Sequence, residues 1–401
     1  MVEIKNRFIN FFGINKNITG MIILVVLVML GEKMGERFLP LYVLAIGGTN
    51  LAVGFLNAMD NLLSALYSFP GGYLSDKIGY KKALLLFTAI AMLGYLVVII
   101  FQSWQAVFIG AVLFISWSAV TLPAIMSLIS KTVPTNRRAM GVTIHSIVKR
   151  IPMSLGPLLG GTFISIYGTT TGIRISFITA FVLGIVALFA IQFLMEDEVV
   201  TPRNNKLFDI LRLKNFNPLL KNLLVSDILI RFAEQIPYAF VVVWCVNNLG
   251  ISAFQFGFLT VVEMITAMLV YIPVAYYADR YFKKPFILIT FGFFTIFPMV
   301  IYFSRSFTML VIAFIIRGLK EFGEPTRKSL IMDLASEGAK AETFGTYYLL
   351  RDVVVAIAAL SSAFLWNISP FTNFITAFIC GLIGTIWFAV WGKDLKEVSS
   401  F

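Results

Sequence analysis

Long apolar runs alternate with short polar turns along the whole chain, at 19–46, 50–73, 83–102, 106–130, 140–166 and 172–195, then at 219–247, 252–275, 285–303, 308–334, 343–366 and 371–391. A bilayer core about 30 Å thick is crossed by ~20 residues of helix, so each run predicts one membrane helix, numbered here as spans 1 to 12. The runs lack the period-two alternation of a membrane barrel. The predicted fold class is an all-α membrane protein of twelve transmembrane helices, arranged as two six-helix bundles related by a pseudo-two-fold axis. The bundles are expected at 1–195 and 219–401, joined by a charged linker at 196–218.

An internal repeat supports this division. Gly54, Phe55, Leu56, Asp60, Pro70, Asp76 and Lys81 meet Gly257, Phe258, Leu259, Glu263, Pro273, Asp279 and Lys284 at one constant offset of 203 residues. A parallel repeat of six spans predicts two bundles facing a central cavity.

Composition agrees: 59% of the 401 residues are hydrophobic and 13% charged, against roughly 25% charged in an average soluble chain. The formal charge of +11 then needs a place. Twenty Lys and Arg fall at the ends and loops of one side, among them Lys77, Lys82, Lys131, Arg137, Arg212 and Lys284, and two, Arg174 and Arg305, on the other. By the positive-inside rule both termini are expected in the cytoplasm of a multi-pass cell-membrane protein, and the basic balance implies no nucleic-acid partner. The basic first 18 residues precede an apolar run with no small-residue cleavage site, so no signal peptide is predicted. Trp104, Trp244 and Trp366 at outer span ends and Trp391 at an inner one are expected as interfacial anchors. Cys245 and Cys380 lie inside apolar runs, and the single histidine, His145, has no donor constellation near it in sequence. Neither a metal site nor a cofactor is predicted. No phosphate-binding loop occurs, so ATP is not the driver.

Residues 72–82, GYLSDKIGYKK, are similar to the G-x-L-x-D-R-x-G-R-[KR] loop of the major facilitator superfamily, and residues 275–284, AYYADRYFKK, form a degenerate copy. The chain resembles that superfamily along nearly its whole length, which implies a gating loop built on Gly72, Asp76, Gly79, Asp279 and Arg280. In span 5, Gly156, Pro157, Gly160 and Gly161 are similar to the core of the Gly-Pro motif of the superfamily's antiporters. Proline kinks the helix and glycine permits close crossing, so a packing kink is the competing reading. Residues 113–120, LFISWSAV, lack the Arg that the superfamily's proton-coupled drug exporters carry in span 4, while residues 317–325 of span 10, RGLKEFGEP, are heavily charged.

Ten cationic and ten anionic side chains lie within the spans. Each costs at least ~2.5–3.5 kcal/mol near mid-bilayer unless paired or wetted. Helical spacing aligns Glu32 with Glu36 and Lys33 with Arg37 in span 1, and Asp227, Arg231 and Glu234 in span 7. It also predicts the pairs Arg317–Glu321 and Lys320–Glu324 in span 10, and sets Arg351 beside Asp352 in span 11. Asp227, Arg327, Lys328 and Asp333, near span ends, are expected to reach toward water.

Asp60 and Glu263, at repeat-equivalent depth and with no cation beside them on their helices, are the leading proton-coupling candidates, with Glu36 and Glu234 behind them. Glu32, Arg37, Arg231, Arg317, Glu321, Arg351 and Asp352 are candidates for lining a substrate cavity; the competing reading is structural ion pairing. The expected function is secondary transport by alternating access, not enzymatic catalysis. Proton-coupled export of a small charged or amphiphilic compound leads, and uptake or exchange of a charged or zwitterionic metabolite is the alternative. The expected partners are the substrate, protons and lipid, around a monomer.

Overall fold

A computed structural model describes residues 16–115, 117–132, 148–196, 216–280, 283–334 and 340–393. His145 and linker positions 197–215 lie outside the described residues, as do the side chains of Asp76, Asp279 and Arg280.

The spans are helical, with no strand among the described residues. Several helices are unbroken and of spanning length: Tyr80–Ile100, Thr169–Leu194, Lys283–Phe303 and Pro370–Trp391 in spans 3, 6, 9 and 12. Spans 2, 8 and 11 are longer, at Asn50–Ile78, Ala253–Arg280 and Lys340–Ile368, and span 5 is described over Arg150–Tyr167. Short side chains start several of them. Asn217, Ser306 and Ser369 each accept the backbone N–H three residues on, satisfying a donor that the first turn leaves free. Gly79, at φ +86°, turns the chain between spans 2 and 3, in the left-handed region where a Cβ is costly.

Spans 1, 7 and 10 are irregular. Span 1 is split into Lys16–Glu36 and Leu39–Ala45, with Pro40 opening the second piece. Span 4 is described over Trp104–Phe114 and Trp117–Thr132, and span 10 is split into Phe307–Leu319 and Glu324–Leu334. Span 7 runs as an α-helix over Pro218–Val243 and ends in a π-helical turn at Trp244–Asn248. Backbone that leaves the α-helix at membrane depth is tolerated where protein or water covers it, so spans 1, 7 and 10 are marked as interior elements.

The described residues gather into two compact units, one within Met1–Gly48, Leu63–Asn204 and Ser252–Gly257, the other within Thr49–Leu62, Asn205–Ile251 and Phe258–Phe401. Two short segments thus sit in the unit that does not hold the rest of their helix, the starts of spans 2 and 8. They pack in matching ways. A Cβ on Gly54 would meet Ala363 Cβ of span 11 at 2.5 Å, and one on Gly257 would meet the Pro157 carbonyl of span 5 at 2.5 Å. The two glycines related by the 203-residue offset therefore serve the same close crossing in opposite units.

Unit 1 is centred on packed rings, Tyr95 with Phe114 and both with Phe177. Unit 2 has a core of Leu220, Ile230, Phe291, Leu330, Tyr347 and Phe388. Large apolar side chains such as Leu93, Phe193, Leu269 and Ile357 are exposed, as lipid-facing residues are. The tryptophans need a correction. Trp244 and Trp366 are 8% exposed, packed with Phe240, Tyr302 and Phe374, and Trp244 donates to the Ile301 carbonyl at 3.3 Å. Their position at a span end said nothing of rotation about the helix axis, which turns both rings into the unit.

The break in span 10 is held from span 9. Gly323, against the Phe286 carbonyl, donates its N–H to Thr290 Oγ1 at 2.5 Å. Thr290→Val keeps the shape and removes the acceptor, so an N–H is left buried without a partner. The expected loss is about 1–3 kcal/mol of stability, read as a lower thermal midpoint, with Thr290→Ser close to wild type.

Candidate functional site

In unit 1, span 1 carries the charge. Glu32 is 1% exposed, and the Lys33 ammonium bridges its Oε1 at 3.1 Å to the Glu36 carboxylate. The other oxygen of Glu32 and the hydroxyl of Tyr95 are both buried without a hydrogen-bond partner among the described residues. Span 5 presses on this stretch through its glycines: a Cβ on Gly156 would lie 2.7 Å from Lys33 Cβ, and one on Gly160 2.0 Å from the Met34 carbonyl oxygen. Beside it lies a chamber of about 710 Å³, counting the part open to solvent, lined by Lys33, Trp117, Thr121 and Lys149 among apolar side chains.

Unit 2 holds a continuous chain of ion pairs. Asp227, fully buried, accepts from Arg327, from the Tyr347 hydroxyl at 3.1 Å and from Arg351 at 3.5 Å; Arg351 also binds Asp352 at 2.7 Å. Arg327 binds Glu324 at 2.6 Å, and Glu324 lies 3.6 Å from Arg231. Arg231 binds Glu234 at 2.5 Å, and Lys320 binds the other oxygen of Glu234 at 2.5 Å while standing 3.9 Å from Glu263. Arg317 closes the chain, 3.3 Å from Glu263, with its guanidinium over the rings of Tyr238, Phe297 and Phe314. A void lined by Glu234, Tyr238, Arg317 and Lys320 has room for about a single water.

Several expectations change on this geometry. Glu263 has cations beside it after all, from span 10, which spacing along span 8 could not reveal. In span 10, Arg317 and Lys320 turn to spans 8 and 7 instead of pairing along their own helix, because the α-helix gives way at Lys320–Gly323 to tight turns bonded three residues back, which shifts Glu321 and Glu324 from their helical positions. Asp227 and Arg327, expected to reach toward water, form the most deeply buried pair described, at 0% and 1% exposure. Depth had been judged by distance from a run's end, which ignores the helices packed around it. Asp333 is the expected kind of end residue, exposed and bound to Lys283. Asp60, Arg37 and Glu321 are half-buried, Asp60 in unit 2. Gly72 is half-buried within span 2, but the close approach there belongs to Gly71, whose Cβ would sit 2.2 Å from the Val120 carbonyl. Trp117, Thr290 and Tyr347 were missed: their partners lie far away in sequence, and no spacing rule points to them.

Helices of spanning length whose buried charges cluster on the broken spans define a multi-pass membrane transporter. The chain belongs to the Major Facilitator Superfamily, whose model matches residues 21–232 and 223–399. It is a transporter and not an enzyme. Two uncharacterized MFS-type transporters of Methanocaldococcus jannaschii are similar, one 22% identical over 88% of this chain and 89% of its own, the other 25% identical over 90% and 94%. Among solved structures, the nucleoside transporter NupG superposes with a TM-score of 0.78 at 14% identity, covering 94% of this chain and 100% of its own. The peptide transporter POT superposes with a TM-score of 0.77 at 16% identity, covering 95% and 94%. These likenesses establish the fold.

Proposed function

We propose that the protein is a proton-coupled exporter of a small charged or amphiphilic organic compound, working by alternating access as a monomer in the cell membrane with both termini cytoplasmic. The observation that carries the coupling is the sharing of Lys320 by two buried carboxylates, Glu234 at 2.5 Å and Glu263 at 3.9 Å. Protonating one carboxylate frees the ammonium to move to the other. The ion-pair chain then has two arrangements of similar energy, which is what a proton must bias to drive a conformational cycle. Asp60, Glu36 and the remaining charged candidates act around this exchange.

The outward direction is supported by the span-5 Gly-Pro stretch, and the cytoplasmic termini by the one-sided distribution of Lys and Arg. The experiment uses proteoliposomes under an imposed pH gradient, with a panel of labelled organic cations, anions and zwitterions. Flux against the proton gradient is expected from the wild type, falling to background in Glu263→Gln and Glu234→Gln while gradient-free exchange persists. Normal gradient-driven flux in both variants overturns the coupling; solute moving with the proton replaces export by uptake.

A further inference from the structure

Spans 3 and 6 leave a groove on the surface of unit 1. It measures about 990 Å³, counting the part that is open, and is lined by Leu85, Leu86 and Ala89 of span 3 and by Ile185, Phe189 and Gln192 of span 6. Leu86 and Phe189 are exposed apolar side chains, so the groove opens toward lipid and not toward water. Gln192, at one end, is its polar lining residue.

Both walls turn from apolar to polar at the same end. On span 3, Lys82, Leu85, Leu86 and Ala89 follow the spacing i, i+3, i+4, i+7 of one helix face; on span 6, Ile185, Leu188, Phe189 and Gln192 follow it too. The start of span 3 meets the end of span 6, where the Tyr80 hydroxyl donates to the Glu196 carbonyl at 3.3 Å. At 1.5 Å per residue, Lys82 lies about 3 Å and Gln192 about 6 Å inward from that contact, and the apolar walls continue to about 14–17 Å. A chain of methylenes fits the deeper part and a polar head the shallower.

This end belongs to the lysine-rich side. Lys82 is exposed and makes no ion pair among the described residues; Glu196, the acid described at this end of the unit, is exposed as well and does not reach it. A lysine that stands over apolar surface extends its ammonium toward the headgroups. The repeat does not copy the arrangement. At the 203-residue offset Lys82 meets Pro285 and Ala89 meets Gly292, so the matching face of span 9 has no cation at that level.

We infer that the groove holds one anionic phospholipid of the leaflet on the lysine-rich side, with an acyl chain between spans 3 and 6, its phosphate against Lys82 and its ester carbonyls facing the Gln192 amide. Any phospholipid can lay a chain along the apolar walls. The preference for an anionic one comes from Lys82, because the ammonium of a zwitterionic headgroup offsets the attraction of its phosphate. The site is independent of what the protein transports and of the direction of flux.

The test counts the lipids that the purified protein retains in native mass spectrometry, titrated in detergent with phosphatidylglycerol or with phosphatidylcholine carrying the same chains. One phosphatidylglycerol should bind more tightly than those that follow it and more tightly than any phosphatidylcholine. Lys82→Gln should weaken that first site about fivefold, the worth of one cation at a charged membrane surface, and Lys82→Arg should stay within about twofold. Ala89→Trp fills the groove and should abolish the preference although Lys82 remains. Lys393→Gln, which removes an exposed lysine beyond the end of span 12, should leave the first site unchanged. All four variants should retain phosphatidylcholine as the wild type does, which a misfolded protein would not. Equal retention of the two lipids by the wild type, unchanged affinity in Lys82→Gln or Ala89→Trp, or an equal loss in Lys393→Gln overturns the site. Displacement of the lipid by glycerol 3-phosphate, a headgroup without chains, overturns the role of the groove.

Discussion

Asp227→Ala should lower the stability of the folded protein by about 3–5 kcal/mol, because it strips a buried charge cluster of its shared partner. Asp227 accepts from Arg327, Arg351 and Tyr347, and Arg327 is itself 1% exposed. Removing the carboxylate leaves Arg327 with Glu324 and Arg351 with Asp352, so two guanidinium groups remain buried with fewer anionic contacts than before. Replacing both members of the central pair by apolar residues of similar size has a different outcome. In Asp227→Leu with Arg327→Leu, Glu324 retains Arg231 and Lys328, and Arg351 retains Asp352, so no charge is stranded. The double variant should therefore be markedly less destabilised than the sum of the two single variants, a coupling of more than about 1 kcal/mol. Unfolding midpoints of the four proteins in one lipid or detergent system measure this. Additive losses would mean that the pair does not act as a unit.

That pair also marks where the sequence stops being informative. The periodicity of apolar runs located the twelve spans, because a segment that crosses a bilayer must satisfy its own backbone and be apolar along its length. The matched packing of Gly54 and Gly257 was legible for a similar reason: the constant offset of 203 residues is a property of the sequence, and the geometry repeats with it. Pairings within one helix were half legible. Arg231 with Glu234 forms at the expected spacing, but Lys33, aligned by spacing with Arg37, reaches across to Glu32 and Glu36, and Arg317 and Lys320 do not pair along their helix, whose α-helical turns end just where the charges cluster. Partners on different helices were not legible at all. Nothing in span 8 announces that Glu263 faces Arg317, because that contact depends on the rotation of two helices about their axes, set by packing along their whole length. The breaks in spans 1 and 10 fall at charged residues, Arg37 and Lys320–Glu321, but charge alone does not announce a break: what holds the interrupted backbone, such as Thr290 of span 9, lies on another helix.

The span-5 glycines provide the second large effect. Gly160→Ala should destabilise unit 1 by about 3 kcal/mol, at the upper end of what overpacking costs. A Cβ at this position would stand 2.0 Å from the Met34 carbonyl oxygen and 2.9 Å from its carbon, and both are main-chain atoms that no rotamer change can move aside. Spans 1 and 5 would have to separate by more than 1 Å at the point where Lys33 is held between Glu32 and Glu36, so the ion pairs would be loosened together with the packing. Gly161→Ala should act similarly, since its Cβ would meet the Ala253 carbonyl at 2.3 Å within the same unit. Gly292 supplies the control. It lies mid-helix in span 9 with nothing within 4 Å of an added Cβ, so Gly292→Ala should stabilise by about 0.5–1 kcal/mol through helix propensity alone. Thermal midpoints of the three variants in nanodiscs test the contrast. If Gly160→Ala and Gly292→Ala shift the midpoint in the same direction, the backbone contact between spans 1 and 5 does not exist as described. If they diverge, the stretch that resembles the antiporter motif is first of all a surface on which two backbones touch, and any transport role it has is exercised through that contact.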